Sequence, residues 1–199
     1  MDILFEGLKS GTFLKIKEQL RITHSKENSE LIANYIGDDP SKFKELIELF
    51  LDQEYRISQR SAMVLAKCTD AYPHLITPHL DRIILNLKNP VIDAVKRNTI
   101  RTLQDVHIPD HMLGEAADIL FKIMMDRNEA VAIKVFTMTT LYNICIREPD
   151  LANELKIVIE DQLPYGSAGF KNRGLKTLKK LKVLIEKNRD KHQDLTSFN

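Results

Sequence analysis

The sequence predicts an all-α fold, a right-handed α-solenoid of about five stacked antiparallel helical hairpins, and three observations carry that expectation. First, one helical pattern lies over itself three times between Ile57 and Ile185. Ile57, Val95, Ile133 and Phe170 align at steps of 38, 38 and 37 residues. Four more columns align with them: Ser61/Thr99/Thr137/Gly174, Ala62/Ile100/Met138/Leu175, Leu65/Leu103/Leu141/Leu178 and Cys68/Val106/Ile144/Leu181. Within each copy the positions stand at i, i+4, i+5, i+8 and i+11, one face of an α-helix. Second, Leu49, Leu87, Met125 and Leu163 recur at intervals of 38 residues, which predicts that each hairpin buries the same ridge against the next. Third, no extended segment shows the period-two alternation of a strand. A helical pattern repeating at this length means stacked helical hairpins.

The elements follow in order. Residues 1–39 read as an irregular helical N-terminal cap, off the repeat register, as expected of a terminal unit with one side toward solvent. Within it, Thr12 to Ile22 and Ser25 to Ile36 are amphipathic. Gly37 stops the second of these helices, and Asp39-Pro40 supplies an N-cap and a first helical residue. The hairpins occupy residues 40–188, in units of about 40–73, 74–108, 109–148 and 149–188, all within one domain. First helices are expected over about Pro40 to Leu51, Pro78 to Leu87, Asp110 to Met125 and Asp150 to Leu163. Second helices are expected over about Glu54 to Tyr72, Pro90 to Val106, Asn128 to Arg147 and Ser167 to Asn188. Thr77-Pro78 and Asn89-Pro90 each place a good N-cap before a proline. Asp110 and Asp150 each follow a proline as candidate caps. Residues 189–199 read as a flexible C-terminal tail.

Composition narrows the task. The chain has 199 residues, 43% hydrophobic and 29% charged, with a formal net charge of +1, the profile of an ordinary globular protein. The sum conceals a gradient. Residues 1–54 carry 7 basic and 11 acidic side chains, residues 55–170 carry 13 and 14, and residues 171–199 carry 9 and 3. A protein built mainly to hold a nucleic acid duplex usually shows a general positive excess, and here only the C-terminal end is basic. Cys68 and Cys145 lie on the apolar faces of different repeats, where cysteine acts as a small hydrophobe. The start has neither a basic n-region nor a long apolar core, and no apolar run reaches the roughly 18 residues of a membrane span. A cytoplasmic location and no membrane partner are expected.

The repeated second helix resembles that of the HEAT repeat family, the HEAT-like, armadillo-type α-solenoids. The family opens that helix with a hydrophobic residue followed by Arg or Lys, then a small residue and a leucine on the same face. Here these are Val95-Lys96 with Thr99 and Leu103, Ile133-Lys134 with Thr137 and Leu141, and Phe170-Lys171 with Gly174 and Leu178. The earliest copy departs, with Ile57-Ser58, Ser61 and Leu65, and the Asp often kept in the family's turn has no consistent counterpart. The resemblance covers about residues 40–188 and implies that second helices line a concave surface.

Candidate binding residues follow from charge and register. Lys96, Lys134 and Lys171 form a column that is either a ladder of local pairs or an anion-binding ridge on the concave surface. On the last helix Arg173, Lys176, Lys180 and Lys187 fall on one side, away from Phe170, Leu178, Leu181 and Ile185. That stripe fits an acidic protein surface or a phosphate backbone, or it is the solvated outer face of the end of the stack. Arg97 and Arg101 complete the ridge. The turn Gly166-Ser167-Ala168-Gly169 either offers a helix N-terminus to an anion or forms a tight interhelix loop.

Chemistry leaves few marks. His107 and His111 are separated by Pro109, and His74 and His79 by Pro78, so neither pair shares one helix face. No metal site or cofactor is expected, and no nucleophile elbow, Walker loop or dinucleotide fingerprint occurs. The alkylpurine DNA glycosylases built from HEAT-like repeats use tryptophan and tyrosine beside a catalytic Asp. This chain has no tryptophan, and neither Asp105 nor Asp126 is assignable to that role. The adenylosuccinate lyase signature is absent, Lys88-Asn89-Pro90 being a chance fragment. The expected function is a non-catalytic scaffold binding another protein along the second helices, near Lys96, Arg97, Arg101, Lys134 and Lys171. The alternative is a nucleic-acid binder or glycosylase relative using the same ridge with Arg173, Lys176 and Lys180.

Overall fold

The computed structural model of the protein describes residues 14–52 and 54–196, with side chains as far as residue 190. The Thr12 start of the first expected helix, most of the cap before it and the last residues of the expected tail lie outside the described residues. Among the described residues the chain is all-α, with ten α-helices and no strand. It divides into two compact units, Met1–Leu75 and Ile76–Asn199.

The first unit holds α1 (Ile16–Ile22), α2 (Lys26–Ile36), α3 (Pro40–Phe50) and α4 (Tyr55–Ala71). Local chemistry sets its boundaries. Ser25 caps α2 by accepting the Asn28 N–H at 3.1 Å. Gly37 ends the helix at φ 53°, donating its N–H to Ala33 O at 2.9 Å, a backbone conformation that side chains with a Cβ resist. Asp39 then caps α3, accepting from the Ser41 and Lys42 amides at 2.9 and 3.2 Å. The Ser41 hydroxyl bond and these amides hold its carboxyl below the usual range. Helix α4 is the centre of the unit and packs on α1, α2 and α3. Ile16, Leu20, Ile32, Phe43, Phe50 and Leu65 are buried there. Arg60 donates to Leu20 O at 2.6 Å, so α1 is tied to a helix 40 residues later.

A 3-10 turn, Pro73–His79, precedes the helices of the second unit. They are α5 (Leu80–Asn86), α6 (Asp93–Thr102), α7 (Leu113–Met125), α8 (Val131–Arg147), α9 (Ala152–Gln162) and α10 (Ala168–Thr196). Helix α7 packs on α8 and α9 on α10, while α8 also lies against both α6 and α10. The second helices are therefore neighbours, with α8 in the middle. The expected registers hold in the core. Val95, Ile133 and Phe170 are buried, as are Ile100, Met138, Leu103, Leu141, Ile144 and Leu181.

Several boundaries differ, for identifiable reasons. Pro78 lies inside the 3-10 turn, and α5 starts only at Leu80. Asn89 does not cap forward: its side chain turns back to donate to Asn86 Oδ1 at 3.1 Å, and α6 begins at Asp93. Asp110 and Asp150 sit in short 3-10 turns and make no cap bond. Each meets a distant partner instead, Asp110 the Arg147 guanidinium and Asp150 the Asn188 amide. Helix α10 continues past Asn188 to Thr196. The first-helix column is also uneven, because Leu49 and Leu87 are buried whereas Met125 is 50% exposed. Its neighbour Met124 fills the interior in its place.

Candidate functional site

The second helices are stitched together by side chains that reach carbonyl oxygens one repeat earlier. From α8, Thr140 donates to Ile100 O at 3.2 Å, Asn143 to Gln104 O at 2.9 Å and Arg147 to Ile108 O at 2.5 Å. The first satisfies an acceptor in the last turn of α6 that lacks a helical donor, the other two reach the chain that follows α6, and together they fix the register of α8 against it.

The lysine column resolves into local pairs at two of its three positions. The Lys96 ammonium meets Glu129 Oε2 at 2.6 Å, and the Glu129 side chain is only 5% exposed. Lys134 is 7% exposed and donates to Gln162 Oε1 at 2.7 Å, while Gln162 donates in turn to Met124 O at 2.9 Å. Burial pushes the Lys134 ammonium below its usual pKa, against the pull of Asp126 and Glu129. Neither lysine presents a free ammonium to a partner. Of the two readings of the column, Lys96 and Lys134 follow the ladder of local pairs, and charge reversal at Lys134 strikes a buried side chain. Lys171 and Arg97 are exposed, and Arg101 is half-buried.

The last helix gives a gathered site. Arg173 donates to Thr139 Oγ1 at 2.8 Å, and the Lys180 ammonium stands 5.2 Å from the centroid of the Tyr142 ring, within cation–π range. Between α8 and α10 these residues, with Lys176, Thr177 and Lys179, line a recess of about 250 Å³. Arg173, Lys176 and Lys180 are thus brought together as their spacing implied. Lys187 lies almost two turns beyond Lys180 and is outside the recess.

Sequence reasoning missed the contribution of α8. Val131, Val135, Thr139, Tyr142 and Ile146 stand at i, i+4, i+8, i+11 and i+15, a single stripe. Val131 is 44% and Ile146 53% exposed, and the three residues between them are half-buried. The stripe is flanked by cations. On α10 stand Arg173, Lys176 and Lys180, and on α6 Arg97 and Arg101 hold the register positions of Val135 and Thr139, 38 residues earlier. The available signal was that α8 carries aliphatic and aromatic residues on nearly every side. A helix of that kind that still has an exposed flank presents apolar surface to something.

The remaining candidates have structural tasks. Ser167 Oγ accepts the Phe170 N–H at 3.3 Å, so the turn opening α10 is capped from within. His111 pairs with Asp81 at 2.8 Å and His74 with Asp38 at 2.6 Å. Burial pushes the thiols of Cys68 and Cys145 up to about 12, which keeps them protonated and poorly nucleophilic at neutral pH. Asp126 accepts the Asn128 N–H at 2.9 Å, closing the turn before α8. Among the described residues no three His, Cys, Asp or Glu side chains form a group able to hold a metal ion. No described helix is long and apolar enough to cross a membrane.

Comparison with known proteins adds one finding. A family model for the HEAT repeat domain matches residues 16–181. The match takes in α1 and α2, which the sequence reading placed in a cap outside the repeats. No curated protein and no solved structure matches the chain.

Proposed function

We propose, because the chain belongs to the HEAT repeat family, that it is a non-catalytic scaffold whose second helices bind a segment of another protein. HEAT repeats generally mediate protein–protein interaction, and the family is typically non-enzymatic. In this reading the hairpins form a right-handed solenoid of about five units, and α6, α8 and α10 line its concave side. The observation that carries the proposal is the apolar stripe of α8 bordered by the cations of α10. A partner segment with aliphatic or aromatic residues along one side and Asp or Glu along the edges complements both features.

A nucleic acid is the weaker fit. Phosphate backbones are held by a continuous run of available cations. Here Lys96 and Lys134 are committed to Glu129 and Gln162, which interrupts the run between α6 and α10. Exposed Val131 and Ile146 have no use against phosphate.

The test is fluorescence anisotropy with two labelled probes, an acidic peptide carrying spaced leucines and a single-stranded DNA, each at low and near-physiological salt. The peptide is expected to bind, and Lys176→Glu combined with Lys180→Glu to weaken it about tenfold or more. Both side chains are exposed, so the variant should melt with the parent. DNA binding that falls by several ions' worth of salt dependence, with no peptide binding, would replace this reading by the nucleic-acid one.

A further inference from the structure

The recess between α8 and α10 gathers charge of one sign. Arg173, Lys176, Lys179 and Lys180 line it, and no Asp or Glu is among its walls. Elsewhere in the same unit lysines meet carboxylates, Lys88 with Glu115, Lys96 with Glu129, Lys122 with Asp118 and Lys156 with Glu160. Among the described residues none of the four cations of the recess makes such a pair. Lys179 also borders the groove between α9 and α10, so Arg173, Lys176 and Lys180 define the site. They stand at i, i+3 and i+7, on one face of α10.

Two contacts from α8 hold these cations without neutralising them. The Arg173 guanidinium gives a single N–H to Thr139 Oγ1, at 2.8 Å, which orients the fork and leaves further donors for a ligand. The Lys180 ammonium lies 5.2 Å from the centroid of the Tyr142 ring, an uncharged partner. Cations placed side by side by neutral groups repel one another, and a bound anion relieves that repulsion. A carboxylate brings one charge and two oxygens. A phosphomonoester brings a charge of about −1.5 to −2 at pH 7 and three acceptor oxygens, and an oriented guanidinium suits two of those oxygens at once. The recess, about 250 Å³, is smaller than the roughly 300 to 1,000 Å³ of pockets that enclose whole small molecules. It therefore takes a group the size of a side chain rather than a nucleotide. Thr139 and Tyr142 belong both to the recess and to the stripe along α8, so a chain lying on the stripe passes its mouth.

Resting on the reading of a protein partner given above, we infer that the recess receives a phosphorylated side chain of the segment that binds along α8. Arg173, Lys176 and Lys180 supply the donors, and Thr139 and Tyr142 keep the first and last of them in place.

The test is fluorescence anisotropy with the acidic, leucine-bearing peptide in four forms, alike except that one central residue is Ser, Glu, phosphoserine or phosphotyrosine. At about pH 7.5 at least one phosphorylated form is expected to bind about tenfold or more tighter than both the Ser and the Glu forms. That gain should shrink as pH falls through about 6, where the phosphomonoester gives up its second charge, while the Glu form stays ionised. The two phosphorylated forms show which length of linker the recess accepts. Lys176→Ala combined with Lys180→Ala should remove most of the gain, and Lys187→Ala, outside the recess, should keep it. All three lysines are exposed, so both variants should melt with the parent. A Ser or Glu form that binds as tightly as the phosphorylated ones overturns this inference and leaves the protein-partner reading standing. No binding by any form overturns both. A gain that survives in full in the Lys176→Ala, Lys180→Ala chain overturns the assignment to the recess.

Discussion

Leu141→Ala is expected to lower the stability of the Ile76–Asn199 unit by about 2 to 5 kcal/mol, read from denaturant or thermal unfolding. Leu141 is 0% exposed and sits on α8, the helix that packs against α6, α7, α9 and α10. Removing its isobutyl group loses the transfer energy of the missing carbons and leaves a cavity bounded by several helices at once. Thr140, Asn143 and Arg147 pin α8 itself to the chain of residues 100–108, so its collapse into the space is restricted and the upper half of the range applies. Leu103 is nearly as buried at 2%, but it stands at the C-cap of α6, where the backbone relaxes more easily. Leu103→Ala should therefore cost less than Leu141→Ala while remaining above about 2 kcal/mol. Variants that melt with the parent would show that the aligned columns are not the source of cohesion.

The second large effect is expected from Lys96→Met, which should cost about 3 kcal/mol, because it strands the Glu129 carboxylate in a site that is almost closed to water. Glu129 Oε1 keeps its bond from the Ala130 N–H at 3.0 Å, but Oε2 loses its charged donor. Adding Glu129→Gln to the same chain should recover at least half of the loss, since a buried neutral amide is far cheaper than a buried charge. A loss below about 0.5 kcal/mol would place this pair among ordinary surface ion pairs. The Arg147–Asp110 pair supplies the contrast. Asp110 is 90% exposed on its side chain, so removing it should change stability by no more than about 1 kcal/mol.

The architecture was legible because it rests on many weak signals in register. Ile57, Val95, Ile133 and Phe170 each say little, but four copies of one helical face leave few other folds. What local signals failed to give was decided by residues far away in sequence. Asp110 and Asp150 look like helix caps, and their carboxylates go instead to Arg147 and Asn188, 37 and 38 residues later. Lys96 and Lys134 matched the family pattern, but whether they face a partner or a neighbouring turn depends on Glu129 and Gln162. The recess was half legible: the spacing of Arg173, Lys176 and Lys180 grouped them, whereas Tyr142 became visible only once α8 and α10 were adjacent. Leu175 shows the same limit in reverse. Its column predicts burial, and among the described residues nothing packs over it, which leaves it 52% exposed.

The bonds that stitch α8 to α6 also set an order in time. The carbonyls of Ile100, Gln104 and Ile108 receive donors from residues 39 or 40 positions further along. At synthesis rates of about 5 to 20 residues per second, α6 waits roughly 2 to 8 s for those donors to be made. Until then the Ile100, Gln104 and Ile108 carbonyls have only water to bond to, and the apolar side chains that α8 covers stand open to whatever binds nascent chains. Helix α6 and the chain after it are sealed by α8, made later, so this part of the chain closes in the direction in which it is translated.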